Sequence, residues 1–206
     1  MGSKLLTRLS ERFGPLIDRA ARAALSLGLT PNAASLLGFS LAILSGLAYG
    51  LGRDAESMSL AGALLLASGG FDALDGAMAR LGEMTSRLGG FLDSFLDRLG
   101  EVAVFLGILY SGKCDAPLAA SAMAFSLLVS YSRAKAESMG LCMKGIGLAE
   151  RPERILIISI STFLGLLSAG LALVAVLAFI TTMQRGLRAY FDLRGANGKA
   201  SSPPST

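Results

Sequence analysis

The 206-residue sequence contains no histidine. That removes the side chain most often used as general base, proton shuttle or metal ligand near neutral pH, and leaves acid–base work to carboxylates, Lys or Tyr. Cysteine is scarce too. Cys114 and Cys142 stand far apart with no further Cys or His beside them, so neither a zinc site nor a disulfide framework is indicated, and both read as packing thiols. Charged residues make up only 17% of the chain, against 52% hydrophobic residues and a mean hydropathy of +0.58. This is too apolar for an ordinary soluble domain and indicates a single-domain membrane protein with no nucleic-acid partner. No long apolar core lies near the start, which argues against a secretory signal. Leu6 stands where the N-myristoylation pattern requires Ser or Thr.

What is present is apolar and helical in pattern. Residues 4–27 alternate an apolar set (Leu5, Leu9, Phe13, Leu16, Ile17, Ala20, Ala24) with a charged one at spacings of three and four. This predicts a basic amphipathic helix in the membrane interface, with Gly14-Pro15 as a possible break; a packed soluble helix is the competing reading. Thr30 and Pro31 then suit the start of a helix. Apolar stretches follow at about 33–51, 58–77, 90–111, 116–138, 154–169 and 172–190. Most approach the roughly 20 residues needed to cross a bilayer. The fifth is short and is divided from the sixth by Ser168-Ala169-Gly170, which predicts a tight hairpin there. The expected fold class is therefore all-α: an integral membrane domain over 1–194 with six transmembrane helices after the interfacial helix, and a flexible tail over 195–206. Of the Lys and Arg residues, only Arg53 and Lys113 fall in the loops on one side. The positive-inside rule places the rest, both termini included, on the cytoplasmic face of the cell membrane.

Four aspartates interrupt this background. Asp72 and Asp75 are three apart, and Asp93 and Asp97 four apart, so each pair shares one face of a helix. The first pair closes one apolar segment and the second opens the next, across a connection rich in Gly and Arg. Two helices meeting there direct four carboxylates into one space, where mutual repulsion calls for a bound cation. Oxygen donors alone select a hard ion: Mg²⁺, Mn²⁺ or Ca²⁺ rather than zinc.

The arrangement Asp72-x2-Asp75-Gly76-x2-Ala79-Arg80-x8-Gly89-x3-Asp93-x3-Asp97 resembles, at every fixed position, the signature of the CDP-alcohol phosphotransferases, integral membrane enzymes of phospholipid synthesis. The resemblance implies transfer of a lipid-phosphate group from a CDP-linked lipid to an alcohol, with release of CMP. It implies that Asp72, Asp75, Asp93 and Asp97 hold metal, Mg²⁺ or Mn²⁺ and two ions, that Asp97 is also general base for the incoming hydroxyl, and that the protein is a homodimer. It places Asn32 near the cytidine. Gly76 and Ala79, with Asp72, lie on the stripe facing the CDP-lipid, where side chains would block approach; small-residue helix packing is the alternative. Gly89 leaves room beside the metals or is likewise a packing residue. Arg80 is placed to hold a phosphate or to anchor the helix at the membrane surface.

A second basic group bears on the acceptor. Arg133, Lys135 and Arg154 lie at helix ends on the same face, with Arg185 in Gln184-Arg185 late in the last span. They read as an anion pocket or as snorkelling anchors. The pattern, with Glu150-Arg151-Pro152-Glu153-Arg154, resembles the inositol-phosphate-using branch of the family, which implies inositol 1-phosphate as acceptor. One departure is the order Arg133 then Lys135, reversed from the bacterial pattern, which alters bidentate geometry. Glycerol 3-phosphate remains an alternative acceptor. A cation or proton transporter is the alternative of another class, although its carboxylates should lie near mid-membrane. Glu101, one turn past Asp97, serves either the site or an interface. CDP-archaeol and CDP-diacylglycerol are not distinguished by apolar spans.

Overall fold

The structure is a computed structural model that describes residues 4–143 and 145–200, with the side chains of 4–13 and 196–200 outside the description. Among the described residues it is built from α-helix with no strand: α1 (Lys4–Ser26), α2 (Pro31–Leu51), α3 (Ala55–Leu81), α4 (Arg87–Ser111), α5 (Ala116–Ser138), α6 (Arg151–Phe163) and α7 (Leu167–Ala200). The helix starts are written locally. Thr30 Oγ1 accepts the Ala33 N–H at 3.2 Å ahead of Pro31. Asp54 Oδ1 accepts the Ser57 N–H at 2.7 Å, and Ser86 Oγ the Gly89 N–H at 2.9 Å. The α2 and α5 stretches fall within two residues of their expected bounds. The α3 helix runs four residues past its expected end, so Arg80 lies in its last turn.

Helix α2 packs chiefly against α3 and α4, α5 packs on α7, and α6 touches both α3 and α7, joining the two groups. The core between them mixes Ala42, Ala61, Ala119 and Ala122 with Tyr49, Phe105, Ile108, Leu171 and Val174. Small residues let helices approach closely where lipid supplies no hydrophobic drive between them. The α2–α4 contact is the extreme case. A Cβ on Gly46 would stand 2.5 Å from the Ala103 carbonyl oxygen, and one on Gly107 would collide with the Gly46 carbonyl. Polar side chains are spent across helices: Ser45 Oγ donates to Ala61 O at 2.8 Å, and Tyr49 Oη shares a hydrogen bond with Thr162 Oγ1 at 2.7 Å.

Among the described residues three helices are long and apolar enough to cross a bilayer: Pro31–Leu51, Ala55–Leu81 and the Leu167–Gly195 part of α7. The protein is thus a membrane protein by its helices, but the sequence reading of the last two spans needs correction. The break falls at Leu164–Leu166, not at Ser168–Gly170, and α6 is only 13 residues long. Gly165 decides this. It takes φ +70°, its N–H reaches Thr162 O at 3.0 Å and the Leu166 N–H reaches Ser161 O at 2.7 Å, the paired bonds of a Schellman ending. Helix α1 runs through Pro15 unbroken. Its Ile17, Ala21 and Ala24 pack with Ala34, Ala77 and Met78, while Leu16 and Ala20 stay exposed. Leu5, Leu9 and Phe13, also assigned to the apolar face, fall outside the described side chains. Helix α7 continues to Ala200, past the expected start of the tail at 195, and 201–206 lie outside the described residues.

Replacing Gly107 by Leu should force α2 and α4 apart and lower stability by roughly 1–3 kcal/mol, read as a fall in Tm of the detergent-solubilised protein. Gly186→Ala, with nothing within 4 Å of the added carbon, is the matched control and should leave Tm unchanged or slightly raised.

Candidate active site

The aspartates meet at one end of the bundle, from α3 and α4. Asp75 is buried and accepts the Ser35 hydroxyl on Oδ2 at 2.5 Å, which ties it to α2. Asp72 and Asp97 are joined by a residue from α6: Arg151 Nη1 donates to Asp72 Oδ2 and lies 2.7 Å from Asp97 Oδ1. Asp97 is also 3.5 Å from the Arg98 guanidinium. Asp93 lies one turn before Asp97 and lines two cavities at once. The smaller, about 160 Å³, is bounded by Asn32, Ser35, Asp75, Gly76, Ala79 and Gly89 besides Asp93. The larger, about 740 Å³ and open, is lined by Asp93 and Asp97 together with Arg133, Arg151, Arg154 and Arg185.

The small residues have a visible reason. A Cβ on Gly89 would stand 3.2 Å from Asn32 Oδ1, so glycine there lets the starts of α2 and α4 close on each other. A Cβ on Gly76 would stand 3.4 Å from Arg80 Nη1, so the Arg80 guanidinium folds back along its own helix. Arg80 itself is exposed and lines neither cavity.

The donor set fits a hard divalent ion. Its side chains are carboxylates, with neither imidazole nor thiolate among them. A cationic group already lies between two of them, since the Arg151 guanidinium bridges Asp72 and Asp97. Among the described residues no three such side chains converge closely enough to hold an ion as they stand.

A model of the family described as CDP-alcohol phosphatidyltransferase matches residues 28–187. The chain belongs to that family. It is therefore a membrane-associated transferase of phospholipid biosynthesis, and the transporter reading is set aside. It is 36% identical over 181 residues to archaetidylinositol phosphate synthase of Pyrococcus horikoshii, covering 88% of this chain and 94% of that one. The crystal structure of Mycobacterium tuberculosis phosphatidylinositol phosphate synthase with CDP-DAG bound superposes with a TM-score of 0.72 at 29% identity, over 85% of this chain and 94% of that one. The same enzyme in complex with manganese and citrate gives a TM-score of 0.73 at 31% identity, over 84% and 88%.

Within this family member the basic residues divide by what they are bonded to. Arg154 is 1% exposed. Its Nε and Nη2 donate to Glu101 Oε1 at 2.8 and 2.6 Å, and its Nη1 to Ala149 O at 2.7 Å. Arg185 is 2% exposed, with Nε on Ile146 O at 2.8 Å, Nη1 on Val129 O at 2.7 Å and Nη2 on Glu150 Oε1 at 3.2 Å. Both edge the larger cavity, but their donors are committed to holding α5, the 139–150 connection, α6 and α7 together. Thr181 helps by accepting the Leu148 and Ala149 N–H groups at 3.0 and 3.2 Å. Arg133 is half-exposed and pairs with Glu137 at 2.9 Å. Lys135, two residues on, points about 200° round the helix; it is exposed and outside the cavity. The expected convergence therefore holds for Arg133, Arg154 and Arg185 and not for Lys135. Three partners of the aspartates carry no assigned role in the sequence reading: Arg151 in the Glu-Arg-Pro-Glu-Arg stretch and Arg98 beside Asp97 are visible signals, whereas nothing in the sequence marks Ser35 among many serines. Glu101, open between two roles, proves to be the counter-ion of Arg154 and lies 3.6 Å from Arg98.

Arg154→Ala would take from Glu101 its two short hydrogen bonds and leave it only Arg98 at 3.6 Å, so it should cost about 3 kcal/mol of stability. Arg133→Ala breaks a pair whose side chains are 42% and 43% exposed and should change stability by less than about 0.5 kcal/mol. Thermal denaturation of the two variants in the same detergent separates a strut from a solvated pair; equal losses would contradict the assignment.

Proposed function

We propose that the protein transfers the lipid-phosphate of a CDP-linked lipid, CDP-archaeol or CDP-diacylglycerol, to inositol 1-phosphate and releases CMP. The observation that carries this is the pair of cavities sharing Asp93. One is walled by small residues and Asn32, suited to close approach of a nucleotide. The other is rimmed by guanidinium groups, suited to a phosphorylated polyol. The resemblance of the whole chain to inositol-phosphate-using synthases supports the same acceptor.

In this reading the chain's residues divide the work. Asn32, Gly76 and Ala79 seat the cytidine and its phosphates, and Arg80, exposed beside Gly76 and outside the cavity, turns toward a phosphate when the nucleotide is bound. Arg133 offers its charge from the mouth of the acceptor cavity, and Arg154 and Arg185 fix the walls and contribute positive potential. The acceptor hydroxyl attacks the β-phosphorus; the bond from that phosphorus to the bridging oxygen breaks, CMP departs with its electron pair, and Asp97 takes the hydroxyl proton. Asp72, Asp75, Asp93 and Asp97 are the residues that hold Mg²⁺ or Mn²⁺, two ions in number. When bound, such ions supply positive charge against the pyrophosphate and the leaving phosphate.

The membrane arrangement belongs to the same reading. Residues 1–194 form one domain in which α2 to α7 are the six crossing helices, α1 lies in the interface, and the aspartates and both termini face the cytoplasm, in a homodimer. The long, apolar α2, α3 and α7 support it, as does the Lys and Arg asymmetry. At 13 residues α6 reaches only about 20 Å, short of a bilayer's apolar thickness, so its ends require cover from α3 and α7.

Asp93→Asn should abolish CMP release while leaving a folded protein, because that carboxylate belongs to both cavities. With the unmodified enzyme, inositol 1-phosphate should outpace free inositol and glycerol 3-phosphate in the same assay; a preference for glycerol 3-phosphate would overturn the acceptor. Cys142, exposed in the connection before α6, should react with a membrane-impermeant maleimide in inside-out vesicles and resist it in intact cells. The reverse pattern would invert the topology.

A further inference from the structure

Three guanidinium groups are buried or nearly so around the larger cavity, and they differ in what holds them. Arg154 is bound to Glu101 and a backbone carbonyl; Arg185 is bound to two carbonyls and Glu150. Neither would lose a partner if a cation entered the aspartate cluster. Arg151 would lose both of its anionic partners. Its Nη1 serves Asp72 Oδ2 and Asp97 Oδ1 together, and those are oxygens of the two helices that carry the motif.

We propose that Arg151 and a divalent ion compete for Asp72 and Asp97, so that ion binding releases the Arg151 guanidinium into the acceptor cavity. A divalent ion sits roughly 2.0–2.2 Å from carboxylate oxygens. A guanidinium nitrogen bridging the same two carboxylates occupies that space, and the two positive charges repel at such range. Only the side chain has to move. The Arg151 backbone is the first residue of α6, followed by Pro152, and the connection before it is tied to α7 through Thr181 and Arg185. Arg151 already lines the larger cavity beside Asp97, so released charge has open space in front of it. Arg151 thereby keeps Asp72 and Asp97 paired, and ion binding turns this structural cation into one free to meet an anionic acceptor. Arg151 is thus a positioning residue whose partner depends on the metal state. The last step, toward the acceptor, rests on the proposed function; the competition does not.

The test is Mn²⁺ binding to the full, detergent-solubilised chain, followed by the electron paramagnetic resonance of free Mn²⁺ and requiring no turnover. Removing a competitor should tighten binding, so Arg151→Gln should lower the Mn²⁺ dissociation constant by about tenfold or more. Arg151→Lys, which keeps the positive charge on a shorter, more strongly hydrated head, should fall between. Mn²⁺ should also raise the Tm of Arg151→Gln by more than that of the unmodified chain, since the variant starts without a counter-ion. An unchanged or weaker Mn²⁺ affinity overturns the competition. Should Arg151→Gln fail to fold, Arg151→Lys carries the same two outcomes. A separate arm measures KM for inositol 1-phosphate. A rise of about tenfold in Arg151→Gln at saturating Mn²⁺ supports the release step. Tightened Mn²⁺ binding with an unchanged KM leaves the competition standing and overturns release toward that acceptor.

Discussion

Like charges cannot be gathered at the end of a helical bundle without a compensating cation, and the arrangement of this protein follows from that constraint. Four aspartates come from α3 and α4. The closest compensation comes from a third element, α6, through Arg151. Helix α6 must therefore start within reach of the aspartates, which fixes the path of the connection before it and explains why that connection is bonded so heavily to α7. A short helix of 13 residues is tolerated because it is held at its start by charge and polar contacts and along its length by α3 and α7.

The same constraint repeats one turn along α4. Glu101 carries a negative charge into the bundle and is met by Arg154, with Arg98 at its other side. Guanidinium groups suit such positions because a planar fork can satisfy a carboxylate and a carbonyl at once. A consequence is that the positive rim of the larger cavity is built mostly from residues already occupied as struts. Their charge still shapes the potential in the cavity, but their geometry is set by the protein. Arg133, which pairs with Glu137 on the exposed side, and Arg151, whose partners are the aspartates, are held less rigidly than the struts Arg154 and Arg185.

Much of the fold was legible along the chain. Thr30-Pro31 announces one helix start, and apolar runs of the right length announce α2, α3, α5 and α7, whereas the caps at Asp54 and Ser86 emerged only with their hydrogen bonds. The hairpin between α6 and α7 was misplaced because Ser168-Ala169-Gly170 looks like a break by composition. Gly165 makes the actual break through a left-handed conformation and two backbone bonds that no composition reveals. Lys135 was grouped with Arg133 because sequence proximity and charge suggest a shared pocket; a separation of two on a helix sends them apart.

The sequence by itself determined the four carboxylates, their pairing on helix faces, the apolar background that makes them costly, and the small residues that let helix backbones come close. These are properties of residue type and local spacing. Only the tertiary structure decided which cation meets which anion. Arg151 on Asp72 and Asp97, Arg154 on Glu101, and Arg185 on the carbonyls of Val129 and Ile146 join elements separated by dozens of residues. Charge attraction is indifferent to sequence distance, and nineteen Lys and Arg against fifteen Asp and Glu allow many pairings. The packing of α6 against α3 and α7 selects one.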